Sequence, residues 1–285
     1  MLRVLVCILL FSACSSAPKN PGDIVDQRKR AESQLEQGNK QADRGSLEAA
    51  LVFLDEALRL AVATDDPGLR IRAGLSRSNV LFSMGRHDEA EAGWNKALDE
   101  AARLGDKELL AVSRIHISRG KLLSSSGSSA GRSGIAQSVR DDIEREMAQI
   151  KSEQLYSALA WTVIALAEKE LGRFAAAETA VRRSMAVHEK ANNLELVAYN
   201  WFLIASFRSL SGDYGKARQA LEEAISFDRR VENSWGLAND WRALGEVQKK
   251  AGDRESSRAA FIRSAEIFRS IGLDAAASET LSRIE

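Results

Sequence analysis

Cysteine, proline and net charge are all scarce in this 285-residue chain. Its two cysteines, Cys7 and Cys14, both lie near the N-terminus, so the rest of the chain has neither a disulfide framework nor a cysteine zinc site. Three prolines leave long helices uninterrupted. Forty basic and forty acidic residues cancel, which argues against nucleic acid or an acidic polymer as the main partner, since those select a basic excess. Doublets such as Arg182-Arg183 and Arg229-Arg230 fit solvated helix faces better than phosphate sites. The three histidines, His87, His116 and His188, are far apart and lack the His-Glu-x-x-His spacing of a metal site. The one Gly-x-Ser-x-Gly match, Gly127–Gly131, lies in a Ser/Gly-rich run without the preceding strand that a nucleophile elbow needs, and Gly127 and its neighbours also lack the lysine of a phosphate loop. The expectation is a chain without catalytic residues, bound metal or cofactor.

What the chain does have is a period. Trp161, Trp201 and Trp241 stand 40 residues apart, and each is followed eleven residues later by Gly172, Gly212 or Gly252. Five residues on comes a small residue (Ala177, Ala217, Ser257), then four on a large one (Val181, Leu221, Phe261). Gly45, Ala50, Leu54 and Ala57 are matched at the same step by Gly85, Ala90, Trp94 and Ala97. A fixed period of this size marks a stack of one supersecondary unit, and such stacks serve as scaffolds with long binding faces. From Gly85 to Gly172 is 87 residues, two periods plus seven. The surplus falls at the Ser/Gly-rich segment 124–134, which reads as a flexible inserted loop. A third unit then has one helix near Glu108–Leu123 and another near Ile135–Lys151.

Each unit reads as two helices. Ala160–Leu171 favours helix, Gly172 ends it, and a second helix runs from Phe174 to about Lys190, with a stripe at Phe174, Ala177, Val181 and Met185. A second turn set, at Asp65-Asp66-Pro67, Gly105-Asp106, Asn192-Asn193, Asn233-Ser234 and Gly272, keeps the same step. The expected fold is all-α: a right-handed superhelical solenoid of about six helical hairpins, capped by a last helix near Ala275–Ile284.

Trp at the fourth position, a small residue near the eighth (Ala165, Ala205, Gly245), then Gly, an aromatic, Ala, a large apolar residue and Ala resemble the tetratricopeptide repeat. The run from Gly212 to Ala224 is the nearest copy of its consensus. The familiar repeat has about 34 residues, so a step of 40 implies longer second helices. His87 takes the position held by Phe174 and Tyr214 elsewhere, which suggests packing. The resemblance implies a concave face lined by first helices at positions two, five, nine and twelve. Carried over, these are Arg72, Leu75, Asn79 and Phe82 in the second unit, and Val112, Ile115, Arg119 and Leu122 in the third. The fifth gives Tyr199, Phe202, Ser206 and Ser209, and the sixth Asn239, Arg242, Glu246 and Lys249. Tyr199 with Phe202 is an aromatic pair suited to anchoring a partner, or to packing on the neighbouring unit. The family's Lys/Asn/Arg clamp for a C-terminal carboxylate is absent, since Leu35 and Leu75 stand where its first Lys belongs.

Met1–Ala13 is Met-Leu-Arg followed by mostly apolar residues, too short to span a bilayer and matching a secretory signal. It ends in Leu10-Phe11-Ser12-Ala13-Cys14, which resembles a bacterial lipobox, although Phe11 replaces the usual Leu and Arg3 is a thin basic region. A plain signal peptide with incidental cysteines is the alternative. The resemblance implies residues 1–13 as lipoprotein signal, lipid attachment at Cys14, a tether at 14–27 and a repeat domain at 28–285. The tether from Ser15 to Gln27 reaches at most about 40 Å. The expected location is the bacterial cell envelope, facing the periplasm. Ser15 favours the outer membrane if the source has two membranes. The expected role is a lipid-anchored, non-catalytic scaffold holding an envelope protein or peptide in its concave groove. A ligand-binding or transporter-associated component with a pocket or pore between helices is the rival reading.

Overall fold

The computed structural model describes residues 21–125, 129–150 and 155–284, so Cys14 and the signal lie outside the described residues. The described residues form thirteen α-helices and a final 3-10 turn, with no strand among them. They pair as six hairpins: α1 (Pro21–Asp43) with α2 (Leu47–Ala63), α3 (Pro67–Ser83) with α4 (His87–Leu104), α5 (Lys107–Leu123) with α6 (Ser129–Met147), α7 (Leu155–Glu170) with α8 (Phe174–Lys190), α9 (Leu194–Leu210) with α10 (Tyr214–Arg230), and α11 (Ser234–Lys250) with α12 (Arg254–Ser270). Helix α13 (Asp274–Leu281) and the 3-10 turn Ser282–Ile284 close the stack, so the expected all-α solenoid with a terminal helix is what forms.

Two boundaries differ from the sequence expectation. Helix α1 begins at Pro21, within the segment read as tether. Residues 21–27 are thus helical where composition suggested flexibility. Helix α6 begins at Ser129, so the second half of the Ser/Gly-rich segment is helical and not loop. The apolar triplet Ala136, Val139 and Ile143 buries completely and draws that helix onto its neighbours.

The turns explain the period. Between hairpins a left-handed residue recurs at the 40-residue step: Asp65 (φ 47°), Gly105 (φ 72°), Asn192 (φ 53°), Glu232 (φ 56°) and Gly272 (φ 78°). Asp and Asn tolerate that region better than other non-glycine residues, which leaves Glu232 as the strained member. The next residue caps the following helix. Asp66, Asp106, Asn193 and Asn233 each accept a hydrogen bond from a backbone N–H three residues on, at 2.9, 3.0, 3.4 and 3.1 Å. Asp213 and Asp253 do the same inside their hairpins, both at 3.1 Å. Each such cap satisfies a donor the helix cannot satisfy itself.

Within a hairpin, a small residue on the first helix meets a large one on the second. Gly245 lies so close to Phe261 that an added Cβ would come within 2.7 Å of the ring, and Gly38 faces Leu54 in the same way, at 2.6 Å. The equivalent pairs are Ala165 with Val181 and Ala205 with Leu221, so the Phe261 ring takes the place of a smaller aliphatic side chain where the first helix has glycine in place of alanine. Trp94 exceeds its equivalents, and its indole presses on Gly120 of the next hairpin while its Nε1 donates to Asn79 Oδ1 at 3.2 Å. The three periodic tryptophans are half-buried and carry arginines on their faces. Arg183 lies over Trp161 at 4.4 Å, Arg182 over Trp201 at 5.6 Å, and both Arg229 and Arg263 over Trp241 at 5.9 and 5.1 Å. Such cation–π contacts stitch second helices to first helices at a partly wet boundary.

Two observations set the curvature. The first helices of successive hairpins touch one another (α1 with α3, α3 with α5, α5 with α7, α9 with α11), whereas second helices make no comparable contact among the described residues. First helices therefore lie on the inner, tighter radius. The coil also meets itself. Arg44, in the turn between α1 and α2, donates to Glu195 Oε1 at 3.2 Å and to the Val231 carbonyl at 2.9 Å. Gly45 (φ +74°) lies flat on the Trp235 indole, where a Cβ would come within 2.6 Å. Hairpin one thus rests against the N-terminal ends of hairpins five and six.

Size matching at Gly245 predicts a sign reversal. Gly245→Ala should destabilise the chain by about 1–2 kcal/mol, the strain of an overpacked core less the helix propensity that alanine gains. In the Phe261→Leu background the same change recreates the Ala205–Leu221 pairing and should be neutral or stabilising. Urea denaturation of the four combinations checks this, and equal losses in both backgrounds would refute the size-matching account.

Candidate binding groove

The inner face carries the predicted groove positions, but half of them are spent on packing. Leu75 is 2 % exposed, and Val112, Ile115 and Leu122 are likewise buried, so none of these can meet a ligand. They fill the seam where neighbouring first helices touch. First and second helices are of nearly equal length, 17 residues in both α9 and α10, so the 40-residue step lengthens both and not the second alone. Asn79 is committed to the Trp94 indole, and Phe82 packs on Trp94 (5.5 Å between centroids) and edge-on to His87 (4.6 Å). His87 has the packing role expected of it. Arg72 lies within reach of Glu32 at 3.9 Å and beside the Tyr156 hydroxyl, whose burial raises its pKa while Arg72 pulls it down. Lys249 donates to the Arg283 carbonyl at 2.7 Å, and Glu246 pairs with the Arg283 guanidinium at 2.9 Å, so both are tied to the C-terminal cap.

What remains open lies on hairpins three, five and six. Tyr199, Phe202 and Ser206 sit at steps of three and four along α9 and so share one face. The two rings stack, with centroids 6.4 Å apart and planes 12° from parallel. Tyr199 is 42 % exposed, yet it stands inside the curve of the coil. The surrounding protein raises its hydroxyl pKa, with the Arg119 guanidinium of α5 opposing. Arg119 is therefore within electrostatic reach of Tyr199. On α11, Arg242 donates to Asn239 Oδ1 at 2.6 Å and covers the Phe268 ring at 5.4 Å. A crevice of about 190 Å³ opens between α9, α10 and α11, with Phe202, Ser206, Ser209, Glu246 and Lys250 around it. It is a notch in a surface and not an enclosed chamber.

Among the described residues no group of three or more His, Cys, Asp or Glu side chains is placed to hold a metal ion. His116 and His188 are buried, and desolvation pushes their pKa values down to about 3 and about 4, which keeps both neutral. No described helix is long and apolar enough to cross a membrane.

Sequence reasoning missed the buried carboxyl pair beneath hairpins five and six. Asp228 and Asp240, each 3 % exposed, bond to one another. Asn233 Nδ2 donates to Asp228 Oδ1 at 3.0 Å, and Gly236 leaves room for the carboxylate. Burial raises Asp228 to about 6 and Asp240 well above the carboxylate range, the latter also because it faces Asp228. The repeat held the clue. Asp228 occupies the position of Ala61, Ala101, His188 and Phe268, and Asp240 that of Ala73, Ser113, Ala160 and Asn200, all of them buried.

Comparison with known proteins bears on the architecture. A family model described as Tetratricopeptide repeat matches residues 198–230, the hairpin that carries Tyr199 and Phe202. No curated protein sequence matches the chain. Among solved structures, BtubC (BKLC) from P. vanneervenii is similar at 18 % identity, covering 87 % of this chain and 92 % of its own, with a TM-score of 0.56. A Rap protein complexed with Competence and Sporulation Factor is similar at 14 % identity over 91 % of this chain and 76 % of that one, with a TM-score of 0.57. TTC0263, a thermophilic TPR protein in Thermus thermophilus, is similar at 15 % identity over 73 % and 98 %, with a TM-score of 0.50. At these identities the likeness is one of fold.

The Asp228–Asp240 pair predicts an unusual pH dependence. Both pKa values are raised in the folded chain, so the folded state holds protons that the unfolded state releases above about 4. Their contribution is complete in acid and is lost as pH rises through about 6 and beyond. Thermal melts should therefore show a pH 5 to pH 8 loss that Asp240→Asn reduces. Parallel pH profiles for the two proteins would refute the shared proton.

Proposed function

We propose that this chain, a solenoid of tetratricopeptide-type hairpins, is a non-catalytic adaptor that holds a protein or peptide partner on its concave face. The fold carries the general part of that reading: stacked hairpins present a long, preformed surface and leave the chemistry to what they bind. The Rap protein of similar fold is seen with Competence and Sporulation Factor bound, a use in keeping with the one proposed here. The observation that carries the finer reading is the Tyr199–Phe202 stack. A large aromatic pair left 42 % exposed at Tyr199, inside a curved face, is the type of anchor that dominates recognition energetics. The open crevice beside it favours a side chain of a larger partner over an enclosed small ligand.

The same proposal places the adaptor at a bacterial cell envelope. In this reading the signal is cleaved before Cys14, whose sulfur receives the lipid, and the solenoid faces the periplasm on the outer membrane of a two-membraned source. The support is the Leu10–Cys14 run and the single cysteine a mature chain would keep. With more than one acyl chain, attachment is effectively permanent.

Tyr199→Ala with Phe202→Ala should abolish recovery of crosslinked partner from the native host while leaving the helical circular dichroism intact. Undiminished recovery would sink the groove assignment. Cys14→Ser should move the protein from the membrane fraction to the soluble fraction, and persistence in the membrane would remove the anchor.

A further inference from the structure

The contact that closes the coil uses the same helix faces as the groove. Glu195 precedes Tyr199 by four residues and Phe202 by seven, so all three lie on one face of α9. Trp235 precedes Asn239 by four and Arg242 by seven, on the corresponding face of α11, and its carbonyl accepts from Asn239 Nδ2 at 2.8 Å. The partners of Glu195 and Trp235 are Arg44 and Gly45 of the first hairpin, 151 and 190 positions away in sequence. The turn between α1 and α2 is therefore seated at the N-terminal end of the very surface that carries the aromatic stack.

We propose that this turn is an intramolecular latch: the first hairpin occupies one end of the groove of hairpins five and six, and a partner gains the whole groove only when the turn lifts away. The latch rests on the groove reading and supplies its regulation.

The fit is specific. Gly45 combines a left-handed backbone with direct stacking on the Trp235 indole, so a side chain there would meet both obstacles. Arg44 spans two elements at once, bonding the Glu195 carboxylate of α9 and the Val231 carbonyl at the end of α10. Asp43, just before it, is half-buried beside Glu195, and burial with that like charge pushes its carboxyl up to about 7.

The contact is also built to release. Arg44 and Glu195 keep 31 % and 16 % of their side-chain surfaces in water, and ion pairs that reach solvent are weak. Two of the three latch residues on hairpin one, Asp43 and Arg44, are polar, and Trp235 stays 39 % exposed with Gly45 seated on it. Beyond the turn, hairpin one joins the stack through hairpin two, α1 and α2 each touching α3, so that junction is the hinge.

The test reads groove access without needing the partner. In the full chain, Asn239→Cys is reacted with a bulky maleimide, and modification is followed by peptide mass spectrometry so that Cys7 and Cys14 are scored separately. Adding Arg44→Glu, or Glu195→Arg, should raise the rate at position 239 by roughly three- to ten-fold. The exchanged pair, Arg44→Glu with Glu195→Arg, should bring it back toward the starting value. Amide hydrogen exchange at 41–47 reports whether the turn has lifted, and circular dichroism that the helices persist. Faster exchange at 41–47 with an unchanged rate at 239 would overturn the latch as a gate. Unchanged exchange and unchanged rate would overturn the latch itself. If the latch variants behave as expected while Tyr199→Ala with Phe202→Ala leaves partner recovery intact, the latch stands and the groove reading fails.

Discussion

The close approach of two helices at one small residue is what everything else in this solenoid follows from. Where Gly245 admits Phe261 and Gly38 admits Leu54, the hairpin axes come near enough for both helices to bury a full apolar stripe. A tight hairpin leaves its first helix at the inner radius and its second outside, which bends the stack. The bend brings α9 and α11 into contact on the inner face and leaves Arg119 of α5 within electrostatic reach of Tyr199 although 80 residues separate them. Packing density at a handful of glycine and alanine positions thus determines where a ligand can go.

The inner face is a compromise between holding the coil and leaving something for a partner. On hairpins two and three the seam between first helices is filled with Leu75, Ile115 and Leu122, and the polar Asn79 is spent on Trp94. On hairpin six the cap takes Lys249 and Glu246. Hairpin five alone presents large aromatic surface without an internal use for all of it. That concentration on one repeat, the one whose sequence stays nearest the family pattern, is what makes a binding reading worth holding.

Much of this was legible in the sequence because the repeat enforces it. The Gly172, Gly212 and Gly252 ladder gives hairpin turns, which need a left-handed backbone, and the Asp66, Asp106 and Asn233 positions give helix starts, which need a short side chain that accepts a backbone N–H. The candidate groove was legible only as a set of positions. Helical phase says which way a residue points, and it cannot say whether a neighbouring helix already fills that space, which is why Leu75 and Ile115 turned out to be core. Two segments are more ordered than their composition suggests. Ser129–Gly134 and Pro21–Gln27 look loop-like by composition, yet both are helical. The contact of Arg44 with Glu195 had no local signature at all, because it depends on the summed curvature of four hairpins.

That last contact changes how the chain behaves as a polymer. An open solenoid is one-dimensional: each unit answers only to its neighbours, and the two ends can fray independently. Joining position 44 to positions 195 and 231 introduces an interaction of very long sequence separation into an otherwise local set. Its closure entropy falls due only after the intervening hairpins exist, so it belongs to the last stage of assembly, with the local hairpins forming first. Once made, it turns a line into a loop, and the first hairpin senses whether the fifth and sixth are folded.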